Sequence, residues 1–164
     1  MLADNFQRYV EEHELVSHDQ RILLTVSGGV DSMVMFSLFL KCGYRVGIAH
    51  CNFQLRGEES EEDEAMVARE AERFGVPCYN RRFDTIGEME RTGESMEMAA
   101  RRLRYAWFDE LRRGEGYDVI AVAHHADDSI ETFFINLLRG TGLRGLTGIH
   151  TRTGHLIRPL NFAS

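Results

Sequence analysis

An α/β fold, with a doubly wound, mostly parallel five-stranded sheet and helices on both faces, is predicted for this 164-residue chain. Two observations predict it. Short apolar runs of the kind buried on both faces of a parallel sheet alternate with segments whose apolar residues recur at helical spacing. Several of those segments end at a glycine suited to stopping a helix, and right-handed crossovers then leave one economical topology.

The first strand is Arg21 to Val26, with Ile22, Leu23, Leu24 and Val26, and it stops at Ser27-Gly28-Gly29. A helix follows from Asp31, carrying Val34, Met35, Leu38 and Phe39 inward until Gly43. Tyr44 to His50 is the second strand, and Cys51 to Gly57 is a loop. A helix over about Ser60 to Phe74 starts in acids, with Ser60 as its cap, and ends at Gly75. Val76 to Phe83 is the third strand, with Pro77 at its start, where a missing N–H is tolerated. Asp84 to Glu94 shows no period. From Ser95 to Arg113 a long helix turns Ala99, Leu103, Ala106, Trp107 and Leu111 inward and stops before Gly114. Tyr117 to Ala123 is the fourth strand, Asp127 to Gly140 a helix, and Leu156 to Ser164 the start of a fifth strand.

Composition sets the outer bounds. Hydrophobic residues are 43% and charged ones 27%, with 2 Pro and 15 Gly, which is globular usage and enough chain for one domain. No apolar run reaches a membrane span, and Met1 to Glu14 is polar and acidic rather than a leader, so a cytoplasmic protein is expected. Cys42, Cys51 and Cys78 are widely spaced with no Cys-x-x-Cys pair, which argues against disulfide, zinc and iron–sulfur frameworks. The net charge of −7 opposes strong non-specific nucleic-acid binding. Yet residues 58 to 72 hold 8 acids and 1 base, so the rest of the chain is balanced.

The strongest chemical signal is Ser27-Gly28-Gly29-Val30-Asp31-Ser32, between the first strand and the first helix after it. A helix amino terminus at a strand's carboxyl end attracts phosphate, two glycines allow close backbone approach, and the Ser27 and Ser32 hydroxyls add donors. Asp31 there calls for a metal ion between it and the anion. The plain alternative is a tight turn with Ser27 capping the helix. Neither Gly-x-x-x-x-Gly-Lys nor Gly-x-Gly-x-x-Gly is present.

This hexapeptide resembles the PP-loop of the ATP pyrophosphatases, which cleave ATP between its α and β phosphates. His50-Cys51-Asn52-Phe53-Gln54-Leu55-Arg56-Gly57, Ala99 to Tyr105, Ala123-His124-His125-Ala126-Asp127-Asp128-Ser129-Ile130-Glu131, Arg139 to Leu146 and Ile157-Arg158-Pro159-Leu160 together resemble the tRNA(Ile)-lysidine synthetases. The likeness runs from about Ile22 to Leu160. Phe53 departs from it, because that family often has a second histidine there. So does Asn161 to Ser164, and the downstream tRNA-binding region of the family is not in this chain, read as a single domain over 1–164.

The resemblance implies a ligase that attaches lysine to C2 of the wobble cytidine of a CAU-anticodon isoleucine tRNA, through an adenylated cytidine, with AMP and pyrophosphate as products. It implies ATP and Mg²⁺ as cofactors, and that tRNA and free L-lysine as partners, with no membrane partner and oligomer formation left open. The site residues are then Ser27, Gly28, Gly29, Val30, Asp31, Ser32, His50 and Arg56 around ATP, Asp31 as metal ligand, and Asp31, Arg104, Asp128 and Glu131 in catalysis. On spacing alone, Asp128 and Glu131 share a helix face, either holding an amine or metal or merely offsetting the helix dipole. Arg56 reaches phosphate or tRNA, or pairs with Glu58 or Glu59; His50 lies by the adenine, or is a satisfied strand-end histidine. His124 and His125 point to opposite sides of extended backbone, which disfavours a shared metal. Two other functions fit the same loop: a sulfur-installing tRNA modifier of PP-loop type, and an ATP-binding module without catalysis.

Overall fold

A computed structural model describes residues 1–123 and 151–163. In chain order these form α1 (Leu2–Glu12), β1 (Arg21–Thr25), α2 (Val30–Lys41), β2 (Arg45–Asn52), α3 (Glu58–Arg73), β3 (Cys78–Arg82), α4 (Thr85–Thr92), α5 (Met96–Glu115), β4 (Val119–Ala121), β5 (Arg152–Thr153) and β6 (Leu156–Ile157). A 3₁₀ turn, Pro159–Ala163, closes the described chain.

The strands lie in the order β3-β2-β1-β4-β6-β5, all parallel except the β5–β6 pair. The predicted α/β architecture is therefore present, with six described strands rather than five. The additional strand, β5, is two residues long and pairs antiparallel with β6 across the Gly154 turn. The fifth predicted strand shortens to Leu156–Ile157, because Pro159 has no N–H to give a ladder and the chain turns there instead.

Side chains alternate across the sheet. Ile22, Leu24 and Val26 pack with Phe6, Val10, Met35, Phe39 and Val67 on the face covered by α1, α2 and α3. Leu23 joins Trp107, Phe108, Tyr117 and Ile120 on the face covered by α5. Burial on both faces explains why β1 reads as one unbroken apolar run.

Several boundaries differ from the sequence reading. Residues Leu2–Glu12 form a helix because Phe6 and Val10, four apart, are fully buried. Thr85–Thr92 is also helical, set between the Asp84 carboxylate, which accepts from the Gly87 N–H, and Gly93 at φ +75°. It buries only Thr85, so no apolar period marks it. The acidic helix α3 has Gly57 as its N-cap, not Ser60, whose hydroxyl accepts from the Arg56 N–H instead. Helix α5 is capped by Ser95, where the sequence reading starts the helix, but it runs past Gly114 to Glu115, with Gly116 as its C-cap, and it buries Phe108 while Ala106 is exposed. Among the described residues no helix is long and apolar enough to cross a membrane.

An ion cluster clamps α4 to α5: Glu88 meets Arg91 and Arg102, both at 2.7 Å, and Arg102 also meets Glu94 at 2.9 Å. Hydrogen bonds from Arg91 and then Arg102 hold the Glu88 carboxyl down at about 2. A lowered carboxyl adds stability in full above its unfolded pKa, about 4.3, and loses it as the pH falls through the folded value. Glu88→Gln is therefore expected to lower Tm modestly at pH 7. In thermal melts over a pH series, the gap to wild type should close between about pH 4 and the folded value near 2.

Candidate functional site

The crevice where a doubly wound sheet binds ligands lies at the carboxyl ends of its strands, where the chain reverses its direction of winding. Here that point is between β1 and β4, because β2 and β3 extend the sheet to one side of β1 and β4 and β6 to the other. The segment Ser27 to Ser32 leaves β1 at this place. Thr25 Oγ1 donates to the Ala121 carbonyl at 3.2 Å and the Val26 N–H donates to the Ala49 carbonyl at 3.0 Å, so the strand end is tied on both sides.

The loop is organised by one hydroxyl. Ser32 Oγ, 4% exposed, accepts from the Ser27 N–H at 3.2 Å and the Gly28 N–H at 3.3 Å, and donates to the Gly29 carbonyl at 3.0 Å. Ser27 Oγ accepts from the Gly29 N–H at 3.2 Å. Both hydroxyls thus shape the loop here, where the sequence reading had them as phosphate donors. Gly28 sits at φ +98°, a conformation closed to ordinary side chains. Gly29 is the N-cap of α2, and no side chain caps that helix. Ser27 is therefore not a capping residue, and the first turn of α2 presents its N–H groups and positive dipole end to an incoming anion. Val30 and Asp31 occupy that first turn and are both exposed.

Ser32→Ala removes the acceptor that two loop N–H groups share. It is expected to cost about 1–3 kcal/mol, seen as a lower Tm together with weaker ATP binding in a titration.

His50 lies beneath the loop rather than in its mouth. It is 2% exposed, and Nδ1 donates to the Val26 carbonyl at 2.7 Å, which fixes the residue joining β1 to Ser27. Geometrically it is the satisfied strand-end histidine of the sequence reading. Asn52, which sequence reasoning did not single out, is also buried. Its Oδ1 accepts from the Gln54 N–H at 2.9 Å and shapes the turn that leads to Arg56.

Arg56 stands at the start of α3, paired with Glu59 at 3.2 Å and Asp63 at 2.9 Å. Asp63 packs in turn against Gly28: a Cβ at that glycine would lie 3.3 Å from the Asp63 Cβ, Cγ and Oδ1. The loop from Ser27 to Ser32 and Arg56, separate motifs in the sequence, are thereby brought together. Arg104 reaches the same strand-end edge from α5, with its guanidinium 5.4 Å from the centre of the Phe53 ring. Phe53 itself stacks on Phe83 at 5.5 Å. The phenylalanine that departs from the family pattern therefore serves as the platform for Arg104. Asp128, Glu131, His124, His125 and the Arg139 to Gly145 segment lie outside the described residues.

Two properties of the donor set bear on chemistry. No group of three His, Cys, Asp or Glu that can hold a metal occurs among the described residues. Asp31, an exposed carboxylate in the first turn of α2, instead suits magnesium, which binds through one or two carboxylates plus substrate phosphates. All three thiols are raised by burial, Cys51 to about 12 and Cys42 and Cys78 in the same direction, so none is a ready thiolate.

Comparison with known proteins gives a consistent picture. The model of a family described as a PP-loop domain matches residues 2–163. The tRNA(Ile)-lysidine synthase of Parabacteroides distasonis is 48% identical over 152 residues, covering 93% of this chain and 35% of that protein. The tRNA(Ile)-lysidine synthase of Chlorobaculum tepidum is 44% identical over 161 residues, covering 94% of this chain and 48% of that protein. The chain thus spans less than half the length of either relative. Among solved structures, the U34-tRNA thiolase NcsA of Methanococcus maripaludis superposes with a TM-score of 0.69 at 16% identity, covering 97% of this chain and 59% of that one, a likeness of fold alone.

Proposed function

The chain belongs to the PP-loop domain family, and from that premise we propose that it is the adenylating part of a tRNA(Ile)-lysidine synthase. In this reading the substrates are ATP, free L-lysine and a CAU-anticodon isoleucine tRNA, and the work is done in the cytoplasm. The tRNA grip comes from a region matching the additional length that the relatives carry. The observation that carries the proposal is the uncapped amino terminus of α2 behind the Gly28 turn, at the point where the sheet reverses its winding.

The reaction has two steps. The C2 oxygen of the wobble cytidine attacks the α-phosphate of ATP and pyrophosphate leaves; the ε-amine of lysine then attacks C2 and AMP leaves. The loop of Ser27, Gly28, Gly29 and Val30 holds the leaving pyrophosphate with helix N–H groups and the dipole of α2, which stabilises charge that grows in the transition state. Asp31 would hold magnesium, which when bound neutralises phosphate charge. Ser32 and His50 keep the loop in shape, through the bonds to Ser27, Gly28 and Gly29 and to the Val26 carbonyl. Arg56 supplies a cation to the triphosphate. Arg104, with Asp128 and Glu131, places the lysine, and a carboxylate takes the proton that an ammonium of pKa about 10.4 must lose to become a nucleophile.

A sulfur-transfer reading asks for a reactive thiolate, and burial keeps Cys42, Cys51 and Cys78 protonated. A module that only binds ATP is separated by products. Incubation with ATP, magnesium, lysine and the isoleucine tRNA is expected to release AMP and pyrophosphate, with no ADP. ATP binding without any cleavage contradicts the proposal.

A further inference from the structure

Asp63 carries a role that its place in an acidic run conceals. Residues 58 to 64 contain six acids, which a helix amino terminus accommodates readily. Five of them lie on the first turns of α3 with no described contact to the loop, whereas Asp63 occupies the space a Cβ at Gly28 would need, 3.3 Å from where that atom would sit, and binds Arg56 at 2.9 Å. A carboxylate in that place repels a polyphosphate unless its charge is offset. The Arg56 guanidinium offsets it, and the same ion pair fixes where Arg56 stands relative to the loop.

We infer that Asp63 is a positioning residue for the triphosphate: it docks on Gly28 and holds the Arg56 guanidinium at the edge of the loop, ready to meet the β and γ phosphates. Arg56 carries five N–H donors in a planar fork, so it can keep Nη2 on Asp63 and Nη1 on Glu59 while offering the remaining N–H groups to phosphate. Its side chain is 59% exposed and Asp63's 28%, so the pair is open to ligand on the solvent side. Gly28 serves both contacts. Its φ of +98° turns the chain, and its missing Cβ leaves the room that Asp63 fills. The inference rests on the PP-loop reading and adds to it the device that sets Arg56.

The test is ATP binding to this chain, by calorimetric titration with magnesium, for wild type, Asp63→Asn, Arg56→Gln and the double variant, with ADP and AMP as comparison ligands. Both side chains are at the surface, and circular dichroism melts confirm folding. Arg56→Gln is expected to weaken ATP by about tenfold or more, through loss of a charge-assisted phosphate contact and exposure of the bare Asp63 carboxylate. AMP affinity should hardly change. Asp63→Asn alone is expected to weaken ATP by a few fold, because Arg56 remains a cation but keeps only Glu59 as a carboxylate partner and loses the one that sets it beside Gly28. Added to Arg56→Gln, the same substitution should strengthen ATP binding, because only a repulsive charge is then removed. That reversal of sign is the signature of the device. A loss of equal size in both backgrounds overturns it, as does no effect in either; a loss that tracks magnesium concentration in both makes Asp63 a metal ligand and also overturns it. Failure of the wild type to bind ATP at all would instead strike the PP-loop reading itself.

Discussion

Asp31→Ala is expected to lower ATP-dependent pyrophosphate release by about a hundredfold or more, the scale on which losing one charge-stabilising group acts in such sites. Asp31 sits in the exposed first turn of α2, outside both apolar clusters, so its loss leaves the core intact. Its side chain is the one carboxylate within the loop hexapeptide. A thermal melt close to wild type, alongside lost release in a coupled pyrophosphate assay, is the expected pair of results. Asp31→Asn should behave similarly, since an amide is a poor ligand for magnesium. Near-normal release by either variant would remove Asp31 from the mechanism.

The second large effect concerns folding. Gly47 lies in β2 beside Leu23 of β1, facing the cluster that contains Tyr117. A Cβ there would fall on the Tyr117 hydroxyl and within 2.6 Å of Cζ. Tyr117 has no easy retreat: it is buried, its ring lies under the Arg21 guanidinium at 4.3 Å, and its hydroxyl meets that of Tyr79 at 3.2 Å. Overpacking of this kind costs about 1–3 kcal/mol, and a domain of this size loses about 2–4 °C of Tm for each kcal/mol. Gly47→Ala should therefore melt several degrees below wild type. Adding Tyr117→Phe, which removes the clashing oxygen, should restore part of the loss. An unchanged melting temperature would show that β2 shifts to make room.

The parts of this fold visible in the sequence are those with a strong period or a strong turn. β1 holds an unbroken apolar run, β2 follows closely on the glycine that ends α2, and α2 and α5 carry apolar residues at helical spacing. Helix α1 leaves no sequence signal because only Phe6 and Val10 among its eleven residues are buried, within a polar and acidic stretch. Helix α4 buries almost nothing, and its only written signals are Asp84 and Gly93 at its ends. The cap of α3 is illegible for a different reason: Ser60 is the usual capping type, but its hydroxyl is occupied by the Arg56 N–H, and Gly57 is the N-cap.

The site divides in the same way. The loop from Ser27 to Ser32 is legible because its residue types and its place after a strand both point to phosphate. The bond of His50 to the Val26 carbonyl is not, since a strand-end histidine reads alike in either role. Asp63 is the least legible, one acid among many, distinguished only when the fold sets it against Gly28. Phe53 is an instructive case: a departure from the family pattern in sequence becomes a ring beneath the Arg104 guanidinium in space.

The central claim is that this chain serves lysine transfer to a tRNA base, and labelled lysine tests it most directly. The protein in its full-length form would be incubated with ATP, magnesium, radiolabelled lysine and isoleucine tRNA bearing either a CAU anticodon or a wobble base other than cytidine. The account predicts acid-precipitable label on the CAU tRNA alone, lost with Asp31→Ala and recovered on nuclease digestion as a single modified cytidine. Pyrophosphate release from that tRNA without any lysine entering it would contradict the account.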